Sequence, residues 1–227
     1  MSSSCPAIPA SPALPAHDPS LLPLATLAIG FVMAMLDVTV VNVALPSIAS
    51  QFNTPLTNLV WIVDGYTLTF AALLLVAGAL ANRFGAKRIY LTGLAVFTLA
   101  SLLCGLSLNA GMLIGARLVQ GFGAALFMPS SLSLLAHAYD NDTVRTRMLS
   151  LWSAIVSIAA AAGPLVGGLL IDTFGWRSVF LVNIPVGLIG LWLASSRIAA
   201  APRHPHPLSI TSHALGVLFL GSICYAL

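Results

Sequence analysis

Long apolar runs separated by short polar joints divide the chain almost from end to end. They fall at roughly 21–46, 59–81, 89–108, 111–136, 148–171, 178–197 and 212–227. Each of the first six approaches or exceeds the ~20 residues that cross a bilayer as an α-helix. The seventh is still apolar at Leu227 and reads as the start of a further span. Before the first run, residues 1–20 are rich in Ser, Ala and Pro, with Pro6, Pro9, Pro12 and Pro15 at every third position. That spacing aligns them on one edge of a polyproline II helix, and the composition predicts a disordered tail. The tail has no basic stretch, so it does not read as a cleaved signal peptide. Residues 198–211 read as a link.

The runs repeat. A shift of 90 residues lays Gly78, Leu80, Asn82, Phe84, Gly85 and Lys87 over Gly168, Leu170, Asp172, Phe174, Gly175 and Arg177. The same shift carries run 21–46 onto 111–136 and run 89–108 onto 179–198. Each unit is therefore three spans, and an odd number makes the second copy enter the membrane from the opposite side. Inverted repeats of this kind build many secondary transporters. The predicted fold class is an all-α, polytopic membrane protein: a six-helix bundle of two inverted three-helix repeats, plus the start of a seventh transmembrane helix.

Composition agrees. Of 227 residues 59% are hydrophobic and only 7% charged, with a mean hydropathy of +1.00, whereas soluble domains carry about 25% charged residues. The net charge of +3 does not gather into a nucleic-acid-binding patch; it sits in short loops. Arg83, Lys87, Arg88, Arg145, Arg147, Arg197 and Arg203 lie on one side of the membrane and Arg177 alone on the other. The positive-inside rule places the first set, and the N-terminus, in the cytoplasm of a cell (plasma or inner) membrane. Cys5, Cys104 and Cys224 have no spacing that suggests a metal site or disulfide framework.

Candidate chemistry is confined to the few polar groups inside the spans. Asp37 lies nine residues before Pro46. A carboxylate there costs at least ~2.5 kcal/mol and should face the bundle interior. Burial disfavours the charged form, which suits proton exchange or a cationic substrate; a purely structural hydrogen bond to a neighbouring helix is the other reading. Arg117, Gln120, Gly121 and Ala124 follow i, i+3, i+4, i+7 and form one stripe. By helix rise, Asp37 lies roughly 13 Å and Arg117 roughly 9 Å from the outer ends of their runs, near enough for one to sense the other's charge. Arg117 either faces the interior or snorkels to the surface. Asp64 lines an entrance or marks a helix start. Trp61, Tyr66, Trp152, Trp176 and Trp192 lie mostly toward span ends, which predicts interfacial anchoring. In the fifth run, Gly163, Pro164, Gly167 and Gly168 interrupt an otherwise regular helix. Gly163 and Gly167 share a face that lets a neighbour approach, and Pro164 withholds a hydrogen bond. This stretch is a packing seam, a functional element, or both.

These motifs together resemble the 14-span drug:proton antiporter branch of the major facilitator superfamily over roughly residues 24–227. The match rests on LDVTVVNVALP (Leu36 to Pro46, including Asn42), WIVDGYTL (Trp61 to Leu68), GALANRFGAKR (Gly78 to Arg88), RLVQGFGAA (Arg117 to Ala125), GPLVGG (Gly163 to Gly168), and Trp176, Arg177, Phe180, Asn183, Pro185 and Gly187. The resemblance implies proton-coupled efflux of small lipophilic or cationic compounds such as drugs. Another facilitator-type solute carrier and a truncated, non-transporting membrane protein are the alternatives. It also implies proton coupling or substrate contact at Asp37, Arg117, Gln120, Asn42 and Asp64. Gating falls to Gly78, Asn82, Arg83, Gly85, Lys87 and Arg88, and a bending and sealing surface to Gly163, Pro164, Gly167 and Gly168. Its partners would be a small-molecule substrate, protons, the lipid bilayer and a second, C-terminal half that family members carry, with no nucleic acid. There are two departures. Asn82 stands where the family has an acid, which weakens a charged contact to at most a neutral hydrogen bond, and Ala159 replaces a glycine. No nucleotide-binding loop and no nucleophile–base pair occurs. No cofactor, metal or enzymatic activity is expected, and the proton gradient would drive transport.

Overall fold

A computed structural model describes residues 21–199; the expected tail 1–20, most of the link 198–211 and the incomplete span 212–227 lie outside the described residues. The described residues form α1 (Leu22–Phe52), α2 (Leu56–Phe84), α3 (Ala86–Gly105), α4 (Ala110–His137), α5 (Asp142–Phe174), α6 (Ser178–Leu181) and α7 (Asn183–Arg197). The first five, together with α6 and α7 taken as one, are six helical segments long and apolar enough to cross a membrane.

Several helices overrun their apolar runs, for physical reasons, while α3 stops at Gly105, short of its run. The first run breaks at Pro46 in sequence, yet α1 continues to Phe52 and ends at Asn53, whose left-handed backbone (φ 45°) closes the helix onto Ala49. A proline inside a helix costs about 3 kcal/mol, but each peptide group left unpaired in an apolar medium also costs several. At the start of α5, the Asn141 side chain accepts from the N–H groups of Thr143 and Val144, so residues 142–147 become helix instead of loop. Asp142 adds a negative charge at that N-terminus. The sixth span divides at Val182 because Pro185 offers no N–H to Leu181 O.

The repeat is visible in the backbone. Gly85 (φ 97°) closes α2 and Gly175 (φ 79°) closes α5, 90 residues apart, each donating its N–H at 2.9 Å to a carbonyl four residues back. Such dihedrals favour glycine. Two residues beyond each turn stands a cation that reaches into the other repeat. Lys87 Nζ donates to Ser195 O (2.9 Å) and Ile198 O (2.6 Å) at the end of α7. Arg177 Nη2 donates to Ser107 O (2.9 Å) just past the end of α3. These are C-terminal carbonyls that helices leave unpaired.

α4 packs on α2 and α3, and α1 packs on α5 and α7; α1 meets α4 across the centre. α3 and α4 touch backbone to backbone: a Cβ on Gly93 would stand 2.7 Å from Phe127 N and 2.8 Å from Gly123 O. α1 and α5 meet where Gly163 lies on Thr39 and Gly167 on Val40. α4 is the most enclosed span and α2 and α5 the least. The centre of the bundle is where its charged groups meet.

Candidate functional site

Asp37 is carried on α1, two helical positions before Thr39, so the close α1–α5 seam fixes its height. Its side chain is fully enclosed, as is that of Arg117 on α4, and the two form an ion pair at 2.5 Å between Oδ2 and Nη1. Arg117 does not snorkel. Its Nε donates to Ile62 O of α2 (3.0 Å), and Nη1 also donates to Gln120 Oε1 (2.8 Å). The guanidinium lies over the Tyr66 ring, 4.3 Å from its centroid, with Phe180 of α6 at 6.0 Å. Cation–π contact of this kind strengthens when desolvated.

The other carboxylate oxygen, Asp37 Oδ1, accepts from Gln120 Nε2 (2.8 Å) and from Asn183 Nδ2 of α7 (3.1 Å). Ser101 of α3 completes the cage, accepting from Gln120 Nε2 (2.9 Å) and Asn183 Nδ2 (3.4 Å), while its own hydroxyl donates to Phe97 O (2.8 Å). Cys104 donates weakly to Gln120 Oε1 (3.5 Å). Two helices, α4 and α7, thus place N–H donors on the α1 carboxylate, and α2 and α3 supply the groups that hold those donors, deep among apolar spans. Every hydrogen bond to Asp37 comes from an N–H donor. The cage therefore suits an ionised carboxylate, and a proton on either oxygen meets donors only.

On its other side Asp37 borders an apolar cavity of about 180 Å³ between α1, α5 and α7, lined also by Leu36, Val166, Leu170, Val182 and Asn183. The Tyr66 hydroxyl is buried without a hydrogen-bond partner among the described residues.

Of the residues singled out in sequence, the structure brings together Asp37, Arg117 and Gln120. Asn42 and Asp64 stand apart: five residues past Asp37, Asn42 points to another face, and both are exposed and line a separate cleft between α1 and α2. Asn42 Nδ2 is bonded to Val38 O (2.9 Å) within its own helix. Around the α2–α3 turn, Asn82, Arg83 and Arg88 are exposed, Gly78 faces open space, Gly85 makes the turn and Lys87 is committed to α7. Gly163 and Gly167 form the seam on α1, whereas Pro164 is exposed and Gly168 faces open space. Three of the five aromatic rings do not anchor at the interface. Trp192 is exposed, but Tyr66, Trp152 and Trp176 are buried. Tyr66 serves as a platform for Arg117, Trp152 packs edge-on to Phe31 at 4.5 Å, and Trp176 Nε1 donates to Gln51. Of the three, Trp176 gains a hydrogen bond by turning inward, whereas the Tyr66 hydroxyl and the Trp152 indole N–H are buried without a partner among the described residues and are held by ring contacts.

Sequence reasoning missed Ser101, Tyr66 and Asn183 as members of the cage, and the Ile62 carbonyl. Asn183 carried the same signal as Asp37, a lone polar side chain in an apolar span. Ser101 is too common a residue in such spans to stand out, and a backbone carbonyl leaves no trace in sequence.

The sequence profile of the Major Facilitator Superfamily matches residues 27–224. This chain belongs to the major facilitator superfamily. It is 54% identical over 209 residues to the methylenomycin A resistance protein of Streptomyces coelicolor, covering 92% of this chain and 44% of that protein. The Bacillus subtilis protein of the same name is 52% identical over 204 residues, covering 90% and 44%. The drug efflux pump JefA of Mycobacterium tuberculosis is 40% identical over 182 residues, covering 80% and 36%. The chain thus spans less than half the length of these relatives. The crystal structure of the peptide transporter POT in complex with sulfate superposes with a TM-score of 0.71 at 16% identity, covering 90% of this chain and 44% of that one. This is a likeness of fold alone. The chain is an integral membrane protein whose described residues are all-helical, in two inverted three-helix repeats.

Proposed function

We propose that this chain forms the N-terminal transmembrane half of a proton-coupled antiporter that exports small lipophilic or cationic compounds. The observation that carries the reading is the enclosed Asp37–Arg117 pair, in which every hydrogen bond to the carboxylate comes from an N–H donor, beside the α1–α5 seam. The names of the relatives, which are resistance and efflux proteins, support export as the direction.

In this reading Asp37 exchanges a proton for the salt bridge. Ionised, it holds Arg117, Gln120 and Asn183 and so ties α1 to α4 and α7. Protonated, it loses the charge that balances the guanidinium and presents an O–H to donors, so the cage must rearrange. Because α1 is locked to α5 at Gly163 and Gly167, a movement of α1 carries α5 with it. The exposed apolar face of α5, with Ile158, Leu165 and Leu169, suits packing against a second half, which would supply the opposite wall of the transport path. The excess of basic residues in alternate loops supports a cytoplasmic N-terminus. Asn42 and Asp64, in the α1–α2 cleft, would meet substrate before it reaches Asp37. The exposed Asn82, Arg83 and Arg88 around Gly78 and Gly85 would gate one mouth. The energy source is the proton gradient, with no cofactor, metal or enzymatic step.

The test uses everted membrane vesicles carrying the protein as its gene encodes it, including any reading frame that continues past codon 227. Wild type should exchange drug for protons; Asp37→Asn should lose proton-driven exchange while remaining in the membrane. Undiminished exchange in that variant would overturn the assignment.

A further inference from the structure

Rotational freedom is unequal among the three groups that donate to Asp37. Arg117 has no acceptor to offer in any orientation. The Gln120 amide is pinned at both ends: Oε1 receives Arg117 Nη1 (2.8 Å) and Cys104 Sγ (3.5 Å), while Nε2 gives to Asp37 (2.8 Å) and Ser101 (2.9 Å). The Asn183 amide is held, among the described residues, through Nδ2 alone, by the two longest bonds to nitrogen in the cage, 3.1 and 3.4 Å. It borders the apolar cavity of about 180 Å³. It is also the first residue of α7, directly after the break at Val182, where Pro185 leaves the Leu181 carbonyl without its helical donor.

We infer that Asn183 is a positioning residue that reads the protonation of Asp37, turning its side-chain amide from donor to acceptor and passing the change to the α6–α7 break. The inference rests on the proton-coupling reading above. When a proton binds Asp37, the new O–H needs an acceptor. Rotation of the Asn183 amide by half a turn brings Oδ1 to that O–H. The same rotation sets Oδ1 toward Ser101 Oγ, whose proton is committed to Phe97 O, so the Ser101 contact is lost and α7 is released from α3 at this level. No other atom of the cage accepts without breaking a stronger bond. The charged and titratable groups facing Asp37 are Arg117 from α4, Tyr66 from α2 and Cys104 from α3; α5 and α7 face it with Val166, Leu170 and Val186.

The 227-residue chain in lipid nanodiscs, with asparagine side chains labelled by carbon-13, permits a direct test by infrared difference spectroscopy between acid and neutral pH. Wild type should show a carboxylic acid band that is absent in Asp37→Asn. It should also show a labelled amide carbonyl band that moves to lower frequency in step with the first. Asn183→Ala should lose the amide band, and the pH midpoint of the Asp37 band should move toward alkaline values, because a donor to the charged form is worth more than an acceptor for the neutral one. Asn183→Ser, whose hydroxyl donates or accepts by rotation, should lose the amide band but hold the midpoint near that of wild type, and it carries the test if the alanine variant is not monodisperse. An Asp37 band that titrates with no Asn183 band, or a midpoint indifferent to Asn183→Ala, overturns the inference. Absence of any Asp37 band overturns the proton-coupling reading on which it rests.

Discussion

Replacing Asp37 by leucine leaves the enclosed Arg117 guanidinium with Ile62 O and Gln120 Oε1 as its remaining hydrogen-bond acceptors, and no counter-charge. Replacing Arg117 by methionine leaves the Asp37 carboxylate with two amide donors and no cation. Either single change strands a charge in an apolar bundle and should cost about 3–5 kcal/mol. Independent effects would sum to about 6–10 kcal/mol in the double variant. The structure predicts otherwise: Asp37→Leu with Arg117→Met removes both charges at once and fills the space with apolar groups, so the double variant should lose no more than either single one. The coupling is then at least ~3 kcal/mol. Cys104 supplies the assay, being wholly buried beside Gln120. With Cys5 and Cys224 changed to serine, its reaction with a thiol dye across a detergent unfolding series reports the folded fraction of the 227-residue chain. A double variant as unstable as the sum of the singles would refute the claim that the two charges act as one unit.

Three further outcomes are expected from the same geometry. Tyr66→Phe removes a buried hydroxyl without a partner among the described residues but keeps the ring under Arg117, so stability should hold or rise by about 1 kcal/mol, whereas Tyr66→Leu should fall; thermal unfolding in micelles distinguishes them. Gly163→Val drives a side chain into Thr39 and should cost at least about 1–3 kcal/mol, while Gly168→Ala, facing open space, should stay within ~0.5 kcal/mol of wild type; the same unfolding series measures both. Lys87→Met frees the carbonyls of Ser195 and Ile198, and amide hydrogen exchange should accelerate in the last turn of α7 with little change elsewhere; uniform acceleration, or none, would contradict the assigned contact.

Much of this architecture is legible in the chain itself, and the reasons differ by residue. Asp37 and Arg117 stand out because a charge in an apolar run has few places to go, and Gln120 joins them by helical spacing. The 90-residue repeat is legible because turns such as Gly85 and Gly175 demand glycine. The helix ends are less so. Pro46 and the polar stretch 142–147 signal interruption in water, but a bilayer penalises unwinding and Asn141 caps the first turn of α5. Asn42 shares a motif with Asp37 yet faces elsewhere, since proximity in sequence fixes rotation about the helix and not contact. Trp152 and Trp176 mislead for a related reason: distance from a span end is legible in sequence, whereas the direction a ring takes depends on Phe31 and Gln51, which no local pattern identifies.

Lys87 and Arg177 are crossed: each repeat ties off the loose helix end of the other, at opposite faces of the membrane. A single three-helix unit made alone would keep its cation and its open carbonyls on different sides, unable to satisfy itself. Two copies of such a unit, inserted in opposite senses, would complete one another. The chain is thus arranged as an antiparallel dimer would be, with both partners joined in one polypeptide, and the 90-residue register records where one partner gives way to the other.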